Sequence, residues 1–232
     1  MWLKPKRKYT MKKHFLNFAL ITLVAAGVVS CKDGAKEAET TEAQEVAEAA
    51  PVAEDYSVST DNSIVNWKGE KPTGTHMGTV NISEGTVMVK DGMVEAGKFV
   101  IDMNSLVSTD LEGDMKQNLE AHLKGTVEGK EGDFFNVNKY PTATFELTGV
   151  SEKEGKTMVE GNLTIKEKTN NISFPATITS EGNMVKITSE TFAIDRTKWD
   201  VNYGSKSVFD NLGDKFINDD IELTVTVVAN KQ

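Results

Sequence analysis

From Tyr56 onward apolar and polar positions alternate with a period of two, the repeat of a strand that buries one face. Val65 and Trp67 alternate with Asn66 and Lys68, Val80 and Ile82 with Asn81 and Ser83, and Phe99, Ile101 and Met103 share a face. The repeat returns at Phe145–Leu147, Leu163–Ile165, Ile172–Ile178, Val185–Ile187, Phe192–Ile194 and Ile221–Val227. Asp91-Gly92 between two such runs is a strong hairpin signal. One stretch departs from the pattern: Leu111, Met115, Leu119 and Leu123 recur every fourth residue, which predicts a short amphipathic helix capped by Asp110 and stopped by Gly125. A second short helix is predicted over Lys206–Leu212. One-faced strands broken by Gly, Asn and Asp turns predict an all-β chain, an antiparallel sandwich or barrel, with residues 56–232 as a single domain.

The first 55 residues follow another pattern. Lys4, Lys6, Arg7, Lys8, Lys12 and Lys13 precede an apolar run, Phe15–Val29, which leads into Ser30-Cys31. A basic start, a short apolar run and small residues before a cut describe a secretory signal over residues 1–30. The run is shorter than the roughly 20 residues of a spanning helix. Met11 begins a second, tidier signal, so Met1 and Met11 are both candidate starts. Val28-Val29-Ser30-Cys31 resembles the lipobox of bacterial lipoproteins, which implies lipidation of Cys31 and a membrane anchor at the new N-terminus. A free thiol in an ordinary secreted protein is the alternative. Lys32, in place of Asp, after the cysteine favours the outer membrane, facing the periplasm or the cell surface. Residues 31–55, rich in Ala, Glu and Thr and without an aromatic residue, read as an acidic flexible tether. A transient helix over residues 35–50 is the alternative.

Charge narrows the partners. Loss of residues 1–30 removes six cations and leaves 20 basic residues against 35 acidic ones, a net charge of −15. That argues against nucleic acid. Cys31 is the only cysteine, so disulfides and thiol catalysis are not expected in the mature domain.

Little catalytic chemistry is legible. After export only His76 and His122 remain, and neither has a His, Cys or carboxylate at metal-ligand spacing. There is no Gly-x-Ser-x-Gly elbow and no phosphate-binding glycine loop. Asp195-Arg196 reads as a structural pair. What stands out is the supply of large apolar groups on inward strand faces: Trp67, Phe99, Phe145, Phe174, Phe192 and Trp199, joined by Phe134 and Phe135. A closed barrel can be filled by such side chains or can hold an apolar ligand, and the pattern leaves both open.

Eight segments in order tip the balance. They include Tyr56-Ser-Val-Ser-Thr-Asp-Asn-Ser63 with Trp67 and Gly69, Gly74-Thr-His76-Met-Gly78, Leu119-Glu-Ala-His122-Leu123, Asp133-Phe134-Phe135 through Lys139-Tyr140-Pro141 to Phe145, and Phe192-Ala-Ile-Asp195-Arg196-Thr-Lys-Trp199. Together they resemble the YceI-like family of exported bacterial proteins over residues 56–229. The resemblance implies a lipocalin-like antiparallel barrel crossed by a helical segment, with an apolar tunnel for a polyisoprenoid chain or another long amphiphile. It implies a carrier or sequestering role, no catalytic residue, no metal, and no cofactor beyond such a bound lipid. Trp67, Phe99, Phe135, Phe145, Leu163, Phe192 and Trp199 are the expected tunnel lining, and His76 and Arg196 the expected headgroup contacts at the mouth. The family's histidine before the first Ser of the opening is Asn62 here, and its glycine after the Thr-Ile strand is Glu167. A filled barrel acting as a surface or stress-related interaction module is the alternative, and an enzyme using Asp195, Arg196 and His76 is a third. A homodimer is left open.

Overall fold

The computed structural model describes residues 35–232, so Cys31 and the expected export signal over residues 1–30 lie outside the described residues. Twelve strands form one sheet. They are β1 (Lys36–Glu37), β2 (Glu39–Glu42), β3 (Glu54–Val58), β4 (Ile64–Lys71), β5 (Gly74–Lys90) and β6 (Met93–Ser108), followed after a helix by β7 (Thr142–Lys153), β8 (Lys156–Ile165), β9 (Lys168–Glu181), β10 (Met184–Ser189), β11 (Phe192–Asp195) and β12 (Asp220–Lys231). The antiparallel path β12-β10-β9-β8-β7-β6-β5-β4 returns to β12 and closes a ring of eight strands. The predicted all-β barrel is therefore the fold. Alternation explains it: Val80, Ile82, Val87 and Val89 of β5 are buried, as are Phe99, Ile101 and Met103 of β6, while their neighbours face outward.

Two strands are broken so that the ring can bend. β3 and β4 both pair with β5 and β12, at successive levels. β10 and β11 both pair with β12, but β11 leaves β9, which pairs with β10 only from Ala176 onward. The Asp91-Gly92 hairpin forms with φ of 51° and 78°, as a type I′ turn requires. At the β8–β9 turn, where glycine is replaced, Lys166 takes φ 56° and the hairpin stays tight.

The helix α1 covers Gly113–Lys124. It stops where expected, with Gly125 in the left-handed region at φ 69° and its N–H on the His122 and Ala121 carbonyls. A side chain is excluded there, because a Cβ would lie 2.5 Å from the Glu131 carbonyl. Its start is later than expected. Asp110 does not cap it; Glu112 holds that position without a side-chain bond. No helix forms over Lys206–Leu212; a short 3-10 turn lies at Gly213–Lys215 instead.

The expected tether is ordered along the barrel wall. β1 runs parallel to β11 at Phe192 and Ala193, and β2 runs antiparallel to β9 at Asn170–Ser173. Ala38, between them, is 5% exposed and joins the core. Beyond β2 the chain crosses β8, β7 and β6: Gln44 N–H donates to Asn162, Ala47 N–H to the Leu147 carbonyl, and Ala50 N–H to Glu95. The composition of this segment cannot pay for a core of its own. It is held by a wall that offers it unpaired backbone groups and two outward amides, Asn162 and Asn171, which are 6% and 4% exposed beneath it.

Candidate functional site: an apolar cavity under the helix

The barrel interior is hollow at one end and nearly filled at the other. At the helix end lies a cavity of about 430 Å³. Val65 and Trp67 of β4, Ile101 and Met103 of β6, Leu163 of β8 and Leu223 of β12 form its walls. Leu119, His122 and Leu123 of α1 and Phe134 and Phe135 of the following loop form its roof, and Tyr203, Lys215 and Ile217 close one side. Among the cavity-lining residues there is no serine, threonine or cysteine. Below it, a chamber of about 90 Å³ shares Val65, Ile101, Leu163 and Leu223 as common wall. Its remaining space is occupied by aromatic rings: Phe99 and Phe145 have centroids 6.2 Å apart, Phe145 and Phe174 5.9 Å, and Phe174 and Phe192 stack at 4.3 Å and 6°. Phe145 can sit there because Gly161, diagonal to it on β8, has no side chain; a Cβ would lie 2.1 Å from the ring.

The roof is fixed by the Asp133-Phe134-Phe135 loop. Phe135 N–H and Val137 N–H donate to the Leu123 and Lys124 carbonyls at the end of α1. Asp133 Oδ2 lies 2.7 Å from His122 Nε2. The His122 ring meets Phe134 edge-on at 5.0 Å and Tyr203 at 4.9 Å. His76, at the β4–β5 side of the mouth, is held by a second carboxylate: its Nδ1 lies 2.9 Å from Asp110 Oδ2. Asp110 also accepts from Met77 N–H at 3.0 Å and Ser108 Oγ at 2.9 Å. Burial alone would raise its pKa, but the hydrogen bonds from Met77, His76 and Ser108 outweigh that and hold the carboxyl at about 2. Asp110 is therefore an acceptor at neutral pH, His76 donates to it from Nδ1, and Nε2 is left over. Trp67 Nε1 is a buried donor without a partner, a cost of about 1–3 kcal/mol.

The expected lining residues divide between the two spaces. Trp67, Phe135 and Leu163 line the large cavity; Phe99, Phe145 and Phe192 surround the small chamber, which Leu163 also reaches. His76, expected as a headgroup contact, lines the large cavity. Arg196 borders the cavity, yet it is 2% exposed and each of its nitrogens donates to a backbone carbonyl: Nε to Asn218, Nη1 to Val201 and Nη2 to Ile217, with Asp219 at 3.5 Å. Burial pulls its pKa down, and Asp219 and Asp195 oppose that. It clamps the segment between residues 200 and 219, with each of its three nitrogens bonded to a carbonyl of that segment. Trp199 does not line either space. It is fully buried in the wall, with Nε1 donating to the Leu163 carbonyl at 2.9 Å. His122, Asp110, Asp133 and Tyr203 are the site residues that pattern reading missed. The only signal for them was the pairing of each histidine with an acid from another element, and spacing along the chain does not show that. Among the described residues no group of three or more His, Cys, Asp or Glu side chains could hold a metal ion.

The comparisons with known proteins follow this geometry. A UPF0312 protein of Pseudomonas paraeruginosa is 33% identical over 94 residues, 40% of this chain and 43% of the relative. A UPF0312 protein of Yersinia pestis is 32% identical over 108 residues, 46% of this chain and 50% of the relative. The matches thus span half or less of these curated relatives. BcnA of Burkholderia cenocepacia superposes with a TM-score of 0.53 at 22% identity, over 75% of this chain and 99% of that one. A polyisoprenoid binding domain from Saccharophagus degradans, implicated in plant cell wall breakdown, gives 0.53 at 13% identity, over 76% and 98%. At these identities the structural likeness is one of fold. The YceI-like domain is matched over residues 56–229, three quarters of the sequence and all but the last two residues of the ring of strands, and the chain belongs to that family.

Proposed function

We propose that the barrel binds and carries, without chemical turnover, a long amphiphilic lipid of the polyisoprenoid type. The observation that carries this reading is the apolar cavity of about 430 Å³ beneath α1. An aliphatic tail placed there leaves water at about 0.8 kcal/mol per methylene. The aliphatic and aromatic walls ask for no particular hydrogen bonds, so tail identity is recognised weakly and length more by the depth of the tunnel. His76 and His122, each held by a carboxylate, are polar points for a headgroup, with Glu70, Lys71, Tyr203 and Lys215 also on the cavity lining. Each carboxylate orients an imidazole, but no serine, threonine or cysteine lines the cavity for such an imidazole to activate, which favours holding over covalent chemistry. The structurally similar Saccharophagus degradans domain, a polyisoprenoid binding domain, supports the ligand class. The lipobox-like Val28-Val29-Ser30-Cys31 supports a lipid anchor, and Lys32 an outer-membrane address.

Organic extraction and mass spectrometry of protein purified from its native membrane test the reading. A prenyl lipid is expected to leave with the protein, and re-addition to stripped protein should raise its melting temperature. Protein that is always empty and shows no shift with prenyl lipids would overturn the proposal.

A further inference from the structure

The ring of strands has a seam between β9 and β11. β9 and β11 diverge above Ala176, so the β9 backbone from Asn170 to Ser173 has no partner from β10 or β11. The N-terminal segment fills that gap. Lys36 and Glu37 pair with Phe192 and Ala193 of β11, Ala38 N–H donates to the Ala193 carbonyl at 2.8 Å, and Glu39–Glu42 pair with β9. From inside, the gap is spanned by Phe174 of β9 stacked on Phe192 of β11, and both rings line the deep chamber.

We infer that this seam is a side entrance to the lipid cavity and that residues 36–42 are its removable closure. The inference rests on the carrier reading above and names the route by which the tail reaches the cavity. Three observations carry it. First, the closure is held almost wholly by backbone hydrogen bonds and exposed ion pairs, such as Glu37 with Lys198 and Glu39 with Lys153; Ala38 is its only fully buried side chain. A segment with so little apolar burial belongs to the low-stability end of a structure and opens without unfolding the barrel. Second, it ends in a specific latch. Asn162 accepts from Gln44 N–H at 2.9 Å through Oδ1 and donates to the Gln44 carbonyl at 2.7 Å through Nδ2, and Asn171 braces the same Oδ1 at 3.2 Å. Third, the seam lies beside the deep chamber rather than the mouth. A long tail that enters there need not thread end-on past α1, and the headgroup is left to travel to His76 and His122.

A reversible lock tests this. Glu39 and Ser173 are cross-strand partners in an antiparallel pair, a spacing that a disulfide spans. Glu39→Cys and Ser173→Cys are placed together in the full-length chain with Cys31→Ser, so that the two new thiols are the only ones. Uptake of menaquinone-4 from phosphatidylcholine vesicles is followed by quenching of tryptophan emission. The oxidised protein should load at least tenfold more slowly than the same protein after reduction, with the same final quench. Asn162→Ala, which removes the latch, should load faster than the parent. Equal rates for the oxidised and reduced forms would assign the route to the mouth under α1 and sink the side entrance alone. No quench in any form would sink the carrier reading, and the entrance with it.

Discussion

At Asp110 a carboxylate placed by the sequence at the start of a helix instead joins strand ends, accepting from Met77 and Ser108 and fixing His76. An acid two or three residues before an amphipathic run looks the same whether it caps the run or turns away from it. Only its partners, brought from 33 and 34 residues back, decide. Its carboxyl, at about 2 instead of the ordinary 3.8, sets a pH dependence. A group whose folded pKa is depressed contributes stability above its unfolded pKa and loses it as the pH falls through the folded one. Asp110→Asn should therefore lower stability near neutral pH, and the gap to the parent should close as the pH falls from about 4 to about 2. Urea denaturation of both proteins across that range checks it; a gap that does not change with pH would mean that the carboxylate's charge plays no part. Arg196 teaches the same lesson in reverse. It lies beside the cavity, but its guanidinium is turned onto the carbonyls of Val201, Ile217 and Asn218. A sequence reports the presence of a cation and not what has already satisfied it.

Among the elements, the long strands of residues 56–232 were legible because alternation survives in almost every one of them. The breaks were not. β10 and β11 read as two apolar runs, and nothing in either says that the second leaves β9 and creates a seam. Composition was an unsafe guide at residues 35–53, because that segment is ordered by groups that belong to the wall. The phenylalanines illustrate a further limit: Phe99, Phe145, Phe174 and Phe192 all face inward as expected, but whether inward rings fill a barrel or line a tunnel depends on how they stack across it. Here they fill one end. Phe174→Ala should merge the small chamber with a new void. It should cost about 3–5 kcal/mol of stability and shift the binding preference toward longer prenyl tails, measured as the ratio of dissociation constants for a long and a short prenyl quinone. An unchanged ratio would show that the tail stops above the phenylalanine cluster.

For the whole molecule, the anchor and the barrel are separable in the proposed arrangement. Cys31→Ser should move the protein from the membrane fraction to the soluble fraction while prenyl-lipid binding by the barrel is retained, checked by fractionation and by thermal shift. Retention in the membrane would overturn the anchor and leave the cavity untouched. What the sequence determined by itself was the fold class, the family, the inward face of each strand and the hairpin at Asp91-Gly92, because these depend on periodicity and turn chemistry, which are local. What only the tertiary structure decided was where the interior is empty, which carboxylate holds which histidine, that Arg196 and Trp199 build the wall, and that an acidic leader closes a seam. Each of these depends on groups far apart in the chain meeting at one place, and closure of the ring, which no single strand encodes, is what brings them there.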